Sequence, residues 1–161
     1  MYSRKISFDE LDYQIIQVLH TNARASASDI ARKTNANERT IRKRIARLVS
    51  DGAIRLTAIL DPEAFGYVTA ADIFLEADAT LEPAILNRLI SIPEVTYVAL
   101  GQETKEISIE ARFKDNEALR EFLARTLPGI PGVTVTRYTL VPRILRNIDE
   151  WMPKRADFDI P

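Results

Sequence analysis

The stretch Ser26 to Gly52, SASDIARKTNANERTIRKRIARLVSDG, constrains this chain more than any other. It reads as two short helices joined by a tight turn, the second rich in Arg and Lys. That is the layout of a helix-turn-helix, whose second helix enters a DNA major groove. Ser26 followed three residues later by Asp29 is a helix start signal. Ile30 and Ala31 are the inward positions of the first helix, and Ala31 is small where two helices must cross closely. The turn Thr34-Asn35-Ala36 puts Asn35 where a positive φ is expected, which Asn tolerates better than most residues. Asn37 is placed to cap the second helix, and Gly52 to end it in the left-handed conformation.

The second helix has two faces. Ile41, Ile45 and Leu48 form one apolar stripe at i, i+4 and i+7. At about 100° per residue, Arg39 and Lys43 point away from it. Arg42 and Arg47 flank them, and Thr40 sits at the border. Arg44 lies nearer the buried edge, with its stem available for packing and its head for a phosphate or a carboxylate. A solvated helix face carries alternating charges, whereas Glu38 to Arg47 holds five basic residues and one acid. The expected partner is double-stranded DNA. The expected contact set is Asn37, Arg39, Thr40, Arg42, Lys43, Arg44 and Arg47.

The charge distribution agrees. The whole chain has a net charge of −1, but residues 1–60 hold 11 Lys and Arg against 6 Asp and Glu, a net of +5, and the remainder is −6. A basic module joined to an acidic one suits a DNA reader attached to something else. With no Cys there is no disulfide, no thiolate metal site and no cysteine nucleophile. No run of about 18 apolar residues offers a membrane span. The start, MYSRKISFDELD, has no signal-peptide core, so a cytoplasmic protein is expected.

Two domains are expected, with a boundary near Asp61-Pro62. Ser7-Phe8-Asp9-Glu10 has the form of a capping box, with Ser7 at the N-cap. The helix it starts aligns Leu11, Ile15, Ile16 and Leu19, a third helix for the first module. Ala53 to Leu60 alternates like a short strand that links the modules. The rest reads as strand, helix, strand, strand, helix, strand. The strands are Tyr67–Ala77, Val95–Leu100, Glu106–Phe113 and Val133–Leu140. One helix is capped by Thr80 with Pro83 in its first turn, the other by Asp115. The expected fold class is therefore α+β, a helix-turn-helix domain over 1–60 and a ferredoxin-like βαββαβ domain over 61–161. With both helices on one face of the sheet, a partner subunit is the natural cover for the other, so a homodimer is expected.

The chain resembles the leucine-responsive and asparagine-responsive (Lrp/AsnC) regulators over residues 8–140. The resemblance is carried by Leu11-Asp12 with Ile15-Ile16 and Leu19, then Asn22-Ala23-Arg24, Asp29-Ile30-Ala31, Arg44-Ile45 and Arg47-Leu48. It continues through Gly52-Ala53-Ile54, Ala58-Ile59-Leu60-Asp61-Pro62 and Gly66. It implies a winged-helix-like reader, a C-terminal domain for dimerisation and small-molecule sensing, and assembly of dimers into tetramers or octamers. It also implies an effector, commonly an amino acid, bound near a loop that in the family reads Gly-Asp-aromatic-Asp. The matching residues here are Gly101, Gln102, Glu103 and Thr104. Gln102 and Thr104 replace both acids, so weak binding of ordinary amino acids, or none, is expected.

No spacing suggests a catalytic pair, a metal site or a cofactor cradle, so a non-enzyme is expected. The lone His20 suits the end of the first helix. Arg137 is placed either to pair with Glu106 or Glu110 across the sheet or to face an effector pocket, and the pair is the favoured expectation. Two alternatives stand beside the regulator. One is an enzyme on the same scaffold, resembling sirohaem decarboxylases, which would need His and more basic residues in the acidic half. The other is a sensor or assembly partner without DNA binding. The tail after Pro142 has Ile144, Leu145, Ile148, Trp151 and Met152 at helical spacing, suited either to its own domain or to another subunit. Asp157 and Asp159 within it are expected to be solvated.

Overall fold

The structure, a computed structural model, describes residues 7–102, 104 and 106–160. They form two compact units. The first comprises the residues up to Ile59 together with those from Arg146 onward, and the second is Leu60–Leu145.

The first unit has three helices, α1 (Glu10–Thr21), α2 (Ala27–Thr34) and α3 (Glu38–Ser50). Their apolar stripes meet in a core of Ile15, Leu19, Ile30, Ala31, Ile41 and Leu48, with Leu11, Ile16 and Ile45 packed around it. The helix ends follow local chemistry. Ser26 and Asp29 form the capping box of α2, and Asn35 adopts φ 51°. Asn37 caps α3 by accepting the Arg39 N–H. Gly52, at φ 72°, closes α3. The Ala53 N–H reaches the Leu48 carbonyl at 2.9 Å and the Gly52 N–H reaches Val49 at 3.1 Å, the paired bonds of a Schellman turn. The start of α1 differs from expectation. Its N-cap is Asp9, not Ser7: the Asp9 carboxylate accepts the Asp12 N–H at 3.0 Å and the Asp12 carboxylate accepts the Asp9 N–H at 3.1 Å. Asp9 sits one residue before the first helical turn, where its carboxylate meets the free amides and the positive helix end.

Two further expectations are corrected here. Residues 53–60 form no strand, and Leu56, Ile59 and Leu60 stay exposed. An alternating pattern needs a hydrogen-bonding neighbour to become a strand, and the described residues supply none at that place. The tail, expected with the second domain, belongs to the first unit and is not helical along its length. It has two 3-10 turns, Ile148–Glu150 and Arg155–Asp157, and buries Phe158 rather than Trp151, which is 58% exposed. Pro153 follows directly on the helically spaced run, disfavours a helical backbone at Met152 and removes a backbone donor. Asp159 is engaged, accepting a hydrogen bond from the Ser7 hydroxyl at 2.6 Å.

The second unit has strands β1 (Thr69–Ala77), β2 (Val95–Leu100), β3 (Ile107–Phe113) and β4 (Val133–Leu140). Between them run α4 (Glu82–Ile90) and α5 (Asn116–Glu121), and the latter continues as a π-helical turn, Phe122–Thr126. The sheet order is β2-β3-β1-β4, antiparallel throughout. The alternation of β3 buries Ile107, Ile109, Ala111 and Phe113. These join Ala71, Ile73 and Leu75 of β1 and pack with Ile85, Leu89, Leu119 and Phe122 from the helices in one core. Both helices therefore cover one face, and the apolar side of β3 is satisfied within the chain. The opposite face is mixed: Arg112 pairs with Glu110 at 2.7 Å, and Arg137 lies 3.7 Å over the Phe74 ring and 3.5 Å from Glu106. Arg137 thus makes the cross-sheet pair its alternation suggested. Thr80 does not cap α4; its hydroxyl donates to the Asp78 carboxylate at 2.7 Å, and the helix starts after Leu81.

Candidate DNA-reading face

On α3 the five cations meet different fates. Arg44 donates through Nη1 to Asp9 at 2.8 Å and to Asp12 at 3.0 Å. Arg47 donates through Nη2 to the same Asp12 oxygen at 2.5 Å. Asp12 is completely buried, so both guanidinium groups are drawn back onto α1. Arg42 pairs with Glu38 one turn earlier on its own helix, at 2.5 Å and well exposed. Among the described residues, Arg39 and Lys43 are the exposed cations of α3 without an acidic partner. They stand opposite the buried stripe of Ile41 and Leu48, and Thr40 is exposed beside them.

The expected contact set therefore divides. Arg39, Thr40, Arg42 and Lys43 are exposed on the outer face. Asn37 is exposed too, but its side chain oxygen accepts the Arg39 N–H at 2.8 Å and so starts the helix. Arg44 and Arg47 are half-buried and serve the α1–α3 contact. Arg47 was expected on the outer flank; the buried carboxylate of Asp12 attracts it inward.

Asp9 and Asp12 are the residues that pattern reading missed. The signal was available: Asp12 shares the face of Ile15, Ile16 and Leu19, and an acid on an apolar stripe requires a cation. Burial works to raise the pKa of the Asp9 carboxyl. The Asp12 N–H and the Arg44 guanidinium outweigh it, holding Asp9 below the ordinary value. Arg44 in turn is held more firmly protonated, chiefly by its hydrogen bond to Asp9. Asp12 Oδ1 and Arg47 Nε are buried without a hydrogen-bond partner among the described residues. They face one ion pair, where a small rotation would make the contact bidentate.

The loop matched to the effector site lies between β2 and β3. The Gly101 N–H donates to the Glu106 carbonyl at 2.9 Å, and the Thr104 hydroxyl accepts the Glu106 N–H at 3.3 Å. A Cβ on Gly101 would fall 2.6 Å from that hydroxyl, which is why the position suits glycine. Gln102 is exposed. Glu103, the remaining residue of the expected set, lies outside the described residues. Among the described residues no group of His, Cys, Asp and Glu is arranged to hold a metal ion, and no helix is long and apolar enough to cross a membrane.

Comparison with known proteins places these features. Residues 8–49 match the AsnC-type helix-turn-helix domain. The HTH-type transcriptional regulator FL11 of Pyrococcus horikoshii is 33% identical over 147 residues, 91% of this chain and 97% of that protein. The fold is similar to AsnC of E. coli, with a TM-score of 0.81 and 26% identity over 89% of this chain and 99% of that one. It also matches the Neisseria meningitidis regulator NMB0573, solved as a complex with L-Met, with a TM-score of 0.81 and 21% identity over 88% of this chain and 94% of that one. The chain belongs to the Lrp/AsnC family of helix-turn-helix transcription regulators.

Proposed function

We propose that this regulator reads DNA with the outer face of α3, through Arg39, Thr40 and Lys43. Arg42 would exchange Glu38 for a phosphate as the helix enters the groove. The observation that carries this reading is the sorting of charge on α3. Acids of α1 hold Arg44 and Arg47, while Arg39 and Lys43 stand exposed opposite the buried stripe. Arg suits bidentate contact with guanine, and Lys suits phosphate. Replacing Arg39 with Ala should cost roughly 1–3 kcal/mol of operator affinity and relax specificity at one base pair. Arg44→Ala should instead act mainly on stability. Operator affinity and specificity unchanged in Arg39→Ala would remove this assignment. Salt gives a second reading of the same face, since the log of affinity should fall by about 0.9 per phosphate neutralised against log salt.

We infer that the working form is a homodimer or a larger homo-oligomer and that it is not an enzyme. Exposed apolar side chains support self-association: Leu56, Ile59 and Leu60 before the sheet, and Tyr97, Tyr138 and Leu140 on its edge strands. Light scattering of the full chain tests this, and a monomer at micromolar concentration would refute it. A small effector beside Gly101 would meet neutral groups at Gln102 and Thr104, the two positions where the family pattern has acids. Gln102 offers an amide, and the Thr104 hydroxyl is already engaged with Glu106. The related neisserial structure holds L-Met, which makes amino acids the natural panel to try. An ammonium group moved from water needs a carboxylate or several acceptors. Calorimetry should therefore show weak binding or none, and micromolar binding coupled to operator affinity would overturn the inference.

A further inference from the structure

The DNA-reading unit is made from two separated pieces of chain, so the polypeptide passes between the two units twice, at Ile59–Leu60 and again at Leu145–Arg146. The second piece is fastened at its far end. Phe158, only 6% exposed, lies against the rings of Phe8 and Tyr13, with centroids 5.9 and 4.9 Å away. The Asp159 N–H donates to the Phe8 carbonyl at 2.7 Å, and the Ser7 hydroxyl donates to the Asp159 carboxylate. Arg155 grips Glu10 Oε2 through Nε at 3.2 Å and Nη2 at 2.6 Å. Leu145, Ile148 and Trp151 remain exposed, while Met152 is half-buried beside Gln17 and His20 of α1, so the segment holds by its second half rather than from Arg146 onward. The anchor lies on the N-cap segment and first turn of α1, where Asp9 and Asp12 hold Arg44 and Arg47 of α3.

We propose that residues 146–160 are a second tether on the reading unit, and that Phe158 and Arg155 thereby restrict which spacings of DNA half-sites the protein accepts. A reader joined by one extended linker can shift and rotate to meet half-sites at several separations. A reader fastened at two points has less of that freedom. Simultaneous engagement of two half-sites is then lost when their helical phase changes. Phe158 and Arg155 act as positioning residues through α1 and need not touch DNA. The proposal rests on the dimeric reading above.

The test uses the full-length protein and an operator selected from random DNA. Derivatives of it carry an insertion of about half a helical turn, roughly 5 bp, between half-sites. Wild-type protein should lose on the order of a hundredfold in affinity on the insertion, as avidity is lost. Two variants should lose less than about tenfold, because slack restores simultaneous engagement. One is Phe158→Ala, which frees the anchor. The other carries roughly ten Gly and Ser residues inserted between Leu145 and Arg146, which keeps Phe158 docked and only slackens the crossing. If Phe158→Ala fails to fold, the insertion variant decides alone, because its packing is intact. Spacing selectivity equal to wild type in the insertion variant overturns the proposal. Wild-type protein that selects only single half-sites overturns the dimeric reading, and this proposal with it.

Discussion

Replacing Asp12 with Ala should weaken the reading unit more than any surface change on α3. The carboxylate is fully buried and one of its oxygens collects three donors: Arg44 Nη1, Arg47 Nη2 and the Asp9 N–H. Removing one partner of a buried ion pair costs about 3–5 kcal/mol when the other charge is stranded. Here the stranding is partial. Arg44 keeps Asp9, and the Arg47 side chain is 39% exposed and can turn to water. Half of the α1 capping box is lost as well, worth a fraction of about 1 kcal/mol. The net expectation is a loss of about 2–3 kcal/mol. Hydrogen exchange of the core amides of α1 and α3 is the suitable assay, because it reads the opening energy of this unit within the whole chain. A double-mutant cycle with Arg47→Ala should return a coupling of at least about 1 kcal/mol. A loss below about 1 kcal/mol in Asp12→Ala would show that the buried carboxylate is not the keystone of the α1–α3 contact.

Other perturbations separate local causes. Arg42→Ala breaks an exposed pair with Glu38 and should change stability by less than about 0.5 kcal/mol in the same exchange experiment; a larger loss would mean the side chain also packs. Gly132→Ala should destabilise the second unit by about 1–3 kcal/mol, since φ is +78° and the new Cβ would sit 3.0 Å from Asp78 Cβ and Leu81 Cδ1. Gly52→Ala, at φ +72° with open space around it, should cost only about 1 kcal/mol, and equal losses in urea melts would contradict the steric argument. Acid should loosen the tail. The Glu10 carboxyl is held below its ordinary value of 4.5, first of all by its hydrogen bond from Arg155. A depressed carboxyl pKa stabilises above the unfolded value and loses that contribution as pH falls through the folded one. Exchange at Phe158 and Asp159 amides should therefore be steady from neutral pH down to about 5, after correction for the intrinsic rate, and rise below 4.5. An onset near pH 6 would point to a different group.

Much of this protein was legible along the chain because its cues are local. Ser26 and Asp29, Asn35, Asn37 and Gly52 each act within a few residues, so the helix-turn-helix could be drawn from them. The period of two in Ile107–Phe113 and the period of 3.6 in α3 similarly state which side is buried. What pattern reading could not supply were pairings across long separations. Arg47 and Asp12 are 35 residues apart, and only the packing of α1 on α3 makes one the partner of the other. That packing decided which cations of α3 remain exposed. The tail shows the same limit more strongly. Its apolar spacing suggested a helix running from Ile144 to Met152, but the buried residue is Phe158, held by Phe8 and Tyr13 from the opposite end of the chain. Residues 53–60 had the alternation of a strand and, among the described residues, no neighbour to bond with. Periodicity fixes a side chain's face, while a partner exists only once the tertiary fold has brought distant segments together.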